Sequence, residues 1–468
     1  MRTYTEPARE TPVAYEPDVI VCGGGVTGCA AALSAAHSGA SVLLVERNGV
    51  LGGTATAGLM ANIGNLFMTG EDTPVVKGVP REIVERMAAA GGTRPNWSRA
   101  ELPGVVIDPE VFKMVLLDML REAGVEVLFH ALTVGAVMEG NAVRGVIIES
   151  KSGRQAAISP AVLDATGDAD VAHFAGAPYS AEPNGGSLEF RLCNVDLDRA
   201  VDYFEVYQHA FPAGRDYVRD FDSFARNYRD FGFFFFPHGG GAHFQPWLDV
   251  IERGEYHDKE GDWYGLNAFG LYGLRGDGTV VVNSNFLVVD GVDVRSLSRA
   301  QAEAHIYVKK ATDFLRRYLP GFENAHIVAM AHDWGQRLSR LIEGRAKLTK
   351  QDALEGRKWD EVIARAPTKR PDEPPLGYEI PFGVMAPQGI EGLLVPSGKN
   401  VSTEPRGMLR GMSYCMSLGT AAGAAAAVGA ARKLGPAEAP IREIQAQLIK
   451  LGTYLGEPDR LAELGLVT

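Results

Sequence analysis

A doubly wound α/β domain of Rossmann type, carrying an inserted β-rich α+β domain, is the fold class that the sequence predicts. Two observations predict it. Residues 18–46 read as strand, glycine turn, helix and strand, closed by an acid, which makes one β-α-β unit. Two more strand-plus-glycine-turn segments, 162–168 and 392–402, recur far downstream, and an aromatic-rich stretch of different composition lies between them.

The opening unit carries its own logic. Residues 19–22 are an apolar run of strand type, followed by Gly23, Gly25 and Gly28 in GxGxxG spacing. An alanine-rich run, 29–36, has helical spacing and stops at Gly39, and a second apolar run, 41–45, ends on Glu46. Gly23 permits the tight turn, Gly25 lets a pyrophosphate approach the backbone, and Gly28 lets helix and sheet pack closely. The helix N-terminus offers N–H groups and partial positive charge to phosphates. Glu46 is placed to accept hydrogen bonds from a ribose diol. The alternative is a glycine-rich αβ turn without a ligand.

Past Glu46, Arg47 opens a small-residue loop containing Gly52, Gly53 and Thr54, beside the expected dinucleotide. An amphipathic helix is expected near 79–90. A second covers 108–123, with Pro109 in its first turn and Gly124 as its stop. Runs at 125–129, 134–139 and 143–149 read as strands of a parallel edge and a small meander. Residues 162–168 form a strand ending in a glycine turn, where Asp164 and Asp168 are expected to cap backbone N–H groups rather than react.

From Pro183 the composition shifts. Residues 200–275 are rich in Phe and Tyr, including the run Phe233–Phe236, with His238 and His243 just after it. Two readings stay open: an apolar substrate cavity with a few polar groups, or simply the core of a second domain. Residues 279–289 read as a strand pair and 298–318 as a helix stopped before Pro320. Arg337 and Arg340 are three apart and are expected on one helix face or strand edge. There they either clamp an anionic substrate or serve structural carboxylates. Residues 365–377 look like a linker, and 414–430 like a small-residue helix too short and too weakly apolar to span a membrane. Its N-terminus, near Met412 and Ser413, aims positive dipole at an electron-rich ring. The tail from 437 holds a last helix.

The chain has 468 residues, 46% hydrophobic and 22% charged, with a net charge of −12, which weighs against nucleic acid or an anionic membrane as partner. A small-molecule substrate is expected, no membrane span is expected, and a homo-oligomer is left open. The first seventeen residues are polar and lack an apolar export core, so a cytoplasmic location is the default expectation. Cys22, Cys29, Cys193 and Cys415 form no CxxC and no metal spacing, so neither a disulfide relay nor a metal site is expected.

Five stretches together resemble a known family: GGGVTGCAAA (23–32), LGGTATAG (51–58), DATGDAD (164–170), QRLSRLIEGRAKLTKQDAL (336–354) and GLLVPSGKNVS (392–402). The last continues through Arg410 into MSYCMSLGTAAGAAAA. They are similar to the FAD-dependent oxidoreductases of the glutathione-reductase superfamily and, more narrowly, to the branch related to fumarate-reductase flavoproteins. The resemblance implies FAD. Gly23, Gly25 and Gly28 would hold its pyrophosphate, and Glu46, next to Arg47, its adenosine ribose. Gly52, Gly53 and Thr54 would follow the ribityl chain. Val134 would offer a backbone contact to adenine, and Thr166 and Gly167 would line the nucleotide. Gly398, Ser402, Met412 and Ser413 would approach the ribityl chain and the pyrimidine side of the flavin.

The implied activity is hydride transfer between flavin and a small organic substrate, by dehydrogenation of a C–H bond or reduction of an activated C=C bond. A monooxygenase or oxidase using O₂, and an FAD-carrying electron-transfer subunit, are the alternatives. His238, His243 and Tyr264 are the candidate proton-transfer groups, and Arg410 is the candidate for a substrate carboxylate or for flavin support. Loop 51–70 has no histidine, which sets the chain apart from a histidyl-flavin bond of the fumarate-reductase kind, and no second GxGxxG in strand context suggests a dedicated NAD(P)H domain. The expected layout is an FAD-binding domain from 17–185 and 380–435, a substrate domain at 186–379, and a helical tail at 436–468.

Overall fold

The computed structural model describes residues 2–64, 66, 75–98, 104–207, 221–236, 244–256, 259–260, 263–264, 269–284, 286–367 and 377–466. Its main elements begin with β1 (Val13–Tyr15), β2 (Val19–Cys22), α1 (Val26–His37), β3 (Val42–Val45), α2 (Val79–Ala89) and α3 (Pro109–Glu122). Then come β4 (Glu126–Leu128), β5 (Leu132–Glu139), β6 (Ala142–Ser150), β7 (Gly153–Ile158) and β8 (Ala161–Asp164). The second half adds β9 (Phe190–Cys193), β10 (Phe233–Phe236), β11 (Gly270–Leu274), β12 (Thr279–Asn283), β13 (Phe286–Val289), α4 (Val294–Tyr318), β14 (His326–Met330), β15 (Leu393–Leu394) and α5 (Met412–Arg432).

The first sheet is parallel, in the order β15-β8-β2-β3-β4. Its central strands are buried on both faces, which is why VIVC, VLLV and AVLD read as unbroken apolar runs. Val19, Val21, Val42 and Leu44 face a core shared with α1 and α5, while Ile20, Leu43 and Val45 face a core shared with Val143, Val146 and Ile148 of the meander. The sheet therefore lies between helices on one side and the antiparallel layer β5-β6-β7 on the other. In the polar N-terminal stretch, β1 adds to that layer parallel to β7. Asp108 caps α3 by accepting from the N–H groups of Glu110 and Val111, with Pro109 in the first turn, as its sequence requires.

The second sheet is antiparallel, in the order β10-β11-β12-β9-β14. Its period-2 alternation divides the aromatics between two cores. Phe234 and Phe236 join Leu271, Val280, Val282 and α4, whereas Phe233 and Phe235 join Tyr272, Val281 and the core of the first sheet. This run of phenylalanines is thus core on both faces of one strand. Residues 279–289 are not a strand pair: β12 pairs with β9 and β11, while β13 pairs with Asn184–Gly186 and Trp263–Tyr264 in another sheet. Asn283 and Ser284 offer no glycine to reverse the chain, so it runs on into the next sheet.

The helix expected at 298–318 begins four residues earlier, because Asp293 caps it through the N–H groups of Arg295 and Ser296, in a first turn too polar to show periodicity. The stretch that looks like a linker is, at its described ends, the connection of a hairpin between Val362–Ala366 and Tyr378–Pro381. Residues 368–376 of that stretch lie outside the described residues. The tail contains two helices, Ile441–Lys450 and Pro458–Glu463, rather than one.

By length and composition α5 is long and apolar enough to cross a membrane, contrary to the sequence expectation, because it extends two residues past the small-residue run at each end. Within the protein, 83% of that apolar window is buried. Its small residues explain how. A Cβ at Gly419 would overlap the carbonyl oxygen of Thr27, and one at Gly423 that of Ala31, so α5 lies backbone to backbone on α1. The Ser34 hydroxyl fastens the pair by donating to the carbonyl of Thr420 at 2.6 Å.

Candidate cofactor and substrate site

The glycine turn behaves as its spacing demands. Gly23 has φ +104°, and a Cβ there would overlap the carbonyl oxygen of Ala165; one at Gly28 would overlap that of Gly23. Gly25 differs, because the nearest atom to a Cβ there is Gly53 Cα at 3.9 Å. The backbone at Gly25 is therefore free of close neighbours on the side where a ligand would come. Gly25 caps α1 without any side-chain hydrogen bond to the helix N–H groups. The Gly52–Gly53 turn docks beside it: Gly52 bridges Gly25 in parallel, and its N–H donates to the Gly24 carbonyl at 2.8 Å. Thr54 stands exposed at the outer end of this turn.

Glu46 is 6% exposed and already has work in the protein. Its carboxylate accepts from the N–H of Gly24 at 2.6 Å and of Asn48 at 2.7 Å, and so clamps the glycine turn to the end of β3. Burial raises its pKa, and those two N–H groups pull against the rise. Each oxygen keeps a lone pair for a ribose hydroxyl. Arg47 pairs with Asp333 at 2.9 Å, tying this end of the site to the loop before residue 340. Val134 is the extra residue of a bulge: register passes from Thr133↔Ile148 to Gly135↔Ile147, leaving it unmatched in the β5–β6 ladder.

At the end of β8, Asp164 is fully buried and accepts from Thr166 N–H and hydroxyl and from Ala172 N–H, the capping role expected of it. Burial pushes its pKa up to about 6. Gly167, with φ +83°, has only the Lys399 ammonium near its α-carbon face, at 3.6 Å from a Cβ position. On the last strand-turn, a Cβ at Gly398 would overlap the Leu409 carbonyl, so this turn packs against the lead into α5. Ser402 is buried, its N–H donating to Val384 and its carbonyl accepting from Leu348.

The helix pair sets the long axis of the site. Gly419 of α5 meets Thr27 and Gly423 meets Ala31, so the two helices run in the same direction. Met412 precedes Gly419 by seven residues, while Val26 precedes Thr27 by one, so α5 starts roughly 9 Å ahead of α1. Two positive helix ends thus lie on the same side, staggered. Gly411 caps α5 without a side-chain hydrogen bond, Met412 is half-buried, and Ser413 is fully buried with no partner for its hydroxyl among the described residues. An open glycine, two helix ends without side-chain caps and an orphaned hydroxyl fit the charged and polar groups of FAD.

The candidates for catalysis fare unevenly. His238 and His243 lie outside the described residues. Tyr264 sits in a short strand opposite Phe286. Arg410 is exposed and directly precedes Gly411, the cap of α5. Arg337 and Arg340 share neither a helix nor a strand edge. Arg340 donates to the Asp168 carbonyl at 2.9 Å and Asp170 Oδ1 at 2.8 Å, whereas Arg337 donates to Ser187 Oγ at 3.2 Å.

One residue of the site went unnoticed in the sequence. Leu188, Phe190 and Leu192 face the second core, so Glu189 points to the other side of the chain, which β9 continues with Arg191. Glu189 is 4% exposed, and its Oε2 has no hydrogen-bond partner among the described residues. Burial raises its pKa and the charge of Arg337 opposes that rise; Arg337 in turn is pulled down by burial and then by the charge of Arg410. A lone carboxylate alternating with buried Leu and Phe was the available signal. Among the described residues, no group of three or more His, Cys, Asp and Glu is placed to hold a metal.

This fold and this glycine cradle are those of a dinucleotide-binding protein. The family model for FAD dependent oxidoreductases matches residues 18–448, and the chain belongs to that family. It is 26% identical over 208 residues to digeranylgeranylglycerophospholipid reductase 1 of Methanococcoides burtonii, a match covering 43% of this chain and 50% of that one. It is 28% identical over 204 residues to digeranylgeranylglycerophospholipid reductase 2 of Methanopyrus kandleri, covering 42% and 50%. The chain thus spans about half the length of the curated relatives it matches. Among solved structures it is similar to a geranylgeranyl bacteriochlorophyll reductase-like protein from Thermoplasma acidophilum, at 12% identity, 96% of both chains and a TM-score of 0.45. A flavin-dependent brominase aligns at 13% identity over 96% of this chain and 93% of its own, with a TM-score of 0.47.

Proposed function

We propose that this FAD-dependent oxidoreductase exchanges a hydride between its flavin and a small organic substrate bound against the inner face of the second sheet. The observation that carries the reading is the staggered, same-direction pair α1 and α5, with the open Gly25 at one end and the orphaned Ser413 hydroxyl at the other. Bound FAD supplies two-electron hydride chemistry. Gly23, Gly25 and Gly28 hold the pyrophosphate, and Glu46 the adenosine ribose. Gly52, Gly53 and Thr54 line the ribityl path, and Val134 meets adenine through its bulged backbone. The positive end of α5, with Met412 and Ser413, favours negative charge on the pyrimidine side of the ring. Phe235 and Tyr272, buried on the inner face, exclude water.

The motifs support kinship with the glutathione-reductase superfamily and its fumarate-reductase branch, and a layout of FAD-binding segments 17–185 and 380–435 around a substrate unit. The test is reconstitution followed by anaerobic titration. Apoprotein that takes up FAD and has its flavin bleached by one member of a panel of small metabolites supports the reading. Failure to take up FAD refutes it.

A further inference from the structure

Strand β9 ends at Cys193, directly opposite His326, the first residue of β14. Cys193 Sγ lies 2.9 Å from His326 Nε2. An irregularity in the ladder makes this pairing. Phe190 pairs with Met330 and Arg191 with Ala329, and a regular antiparallel ladder would then set Val328 opposite Leu192 and Ile327 opposite Cys193. Instead Leu192 pairs with Ile327, so Val328 is the extra residue of a bulge and an imidazole, not an isoleucine, meets the thiol. The chain around the pair is held on both sides. Asn194, which leaves β9 with φ +62°, donates from Nδ2 to the Asn324 carbonyl at 3.1 Å, and Asp196 N–H donates to the Gly321 carbonyl at 2.8 Å. His326 is exposed and Cys193 partly exposed, and neither side chain has another hydrogen-bond partner among the described residues. The other three cysteines are buried, and burial pushes the Cys22 and Cys29 thiols up to about 12 and the Cys415 thiol up as well.

We propose that Cys193 and His326 form a nucleophile–base pair and that Cys193 is a modification site for hydrogen peroxide, separate from the flavin chemistry. A thiol becomes an effective nucleophile when a base stands within hydrogen-bond reach to take its proton, and the bulge supplies that base. With its own ring proton on Nδ1, His326 takes the thiol proton at Nε2 as the sulfur attacks one peroxide oxygen. An S–O bond forms and the O–O bond breaks. The electron pair of the broken bond leaves with the other oxygen, which takes the proton back from the imidazolium and departs as water. Sulfur is oxidised by two electrons to the sulfenic acid, and the peroxide is reduced. Hydrogen peroxide is small enough to reach a thiol only partly exposed between two strands, and it carries its own leaving group. Cys29 and Cys415 are closed to the same reaction. They are buried, and their thiols point at backbone carbonyls, Cys29 at Gly24 and Cys415 at Arg410, which take no proton.

The experiment uses the full chain, hydrogen peroxide as oxidant and dimedone as trap for the sulfenic acid, with the adduct located by peptide mass spectrometry. The same chain unfolded in guanidinium chloride supplies the rate of the Cys193 thiol without its partner. Cys193 is expected to carry the adduct first, and to form it about tenfold or more faster in the folded chain than in the unfolded one. His326→Gln, on an exposed side chain, should keep the parent's melting temperature and bring the rate down to that of the unfolded chain. Cys193→Ser should lose the adduct and leave the buried cysteines unlabelled over the same time. Labelling led by Cys22, Cys29 or Cys415, a folded rate no faster than the unfolded one, or an unchanged rate in His326→Gln overturns the proposal. Should His326→Gln unfold, the comparison of folded with unfolded parent decides.

Discussion

Gly25 and Gly28 are three residues apart in one motif, yet they answer to different constraints. Gly28 is required by the fold, since any Cβ there collides with the Gly23 carbonyl. Gly25 is not required by the fold, since the protein itself leaves room for a methyl group there, and its proposed role is to let the ligand approach. Gly28→Ala should therefore destabilise the apoprotein by about 3 kcal/mol or more. Gly25→Ala should leave apoprotein melting unchanged while FAD affinity falls by about tenfold or more. Calorimetry of the apoprotein and FAD titration separate the two. Asp164 supplies a second residue-scale test. Its folded pKa of about 6 lies above the ordinary 3.8, so this group stabilises the fold most fully below the ordinary value, and that contribution is lost as pH rises through about 6. Melting temperature measured against pH should show this fall between about 4 and 6 in the parent, with the contribution missing in Asp164→Asn.

At the scale of elements, the legible parts were those whose signal is local. Strands β2, β3 and β8, helix α1 and the Asp108-capped α3 are announced by apolar runs, glycine stops and a capping residue within a few positions. What stayed hidden depends on neighbours distant in sequence. Whether Asn283 ends a hairpin or continues into another sheet is decided by β9 and by Asn184–Gly186, nearly a hundred residues earlier. Glu189 carries no local signal beyond one acid among apolar residues, and its burial follows only from the packing of distant segments against the stretch before β9. Arg337 and Arg340 were expected to share one helix face or strand edge because spacing alone does not reveal that the chain is irregular between them and turns them to different partners, Arg340 to the Asp170 carboxylate, one of the two roles expected, and Arg337 to Ser187. The small residues of α5 read as close packing in sequence, but only the structure shows α1 as their partner. Gly423→Val should clash with the Ala31 carbonyl, lower stability by about 1–3 kcal/mol, and weaken FAD binding in parallel because it moves one helix end relative to the other. Loss of stability with FAD affinity intact would contradict that coupling.

At the scale of the molecule, one core crosses from the parallel sheet to the inner face of the antiparallel one: Phe233, Phe235, Tyr272 and Val281 belong to the same cluster as α1 and α5. The Arg191–Asp108 pair, at 2.7 Å, ties the start of α3 to β9 of the second sheet, with Arg191 also donating to Thr279 Oγ1 at 3.1 Å. Because Asp108 also caps α3, the bridge links a helix start to a strand. Unfolding is expected to be a single transition, and Arg191→Met should lower stability by about 1.5–3 kcal/mol without splitting it. Two resolved transitions in the parent calorimetric trace would show that the two sheets unfold apart.

The bond from Ser34 to Thr420 spans 386 positions of the chain. Its consequence concerns birth order. On the ribosome α1 is made long before α5 and then waits, its small-residue flank bare to solvent, until Thr420 has been made. The pair of helix ends thus cannot form before α5 is made, and a nascent chain halted before residue 412 would present a sticky, unclosed half-site for chaperones to shield.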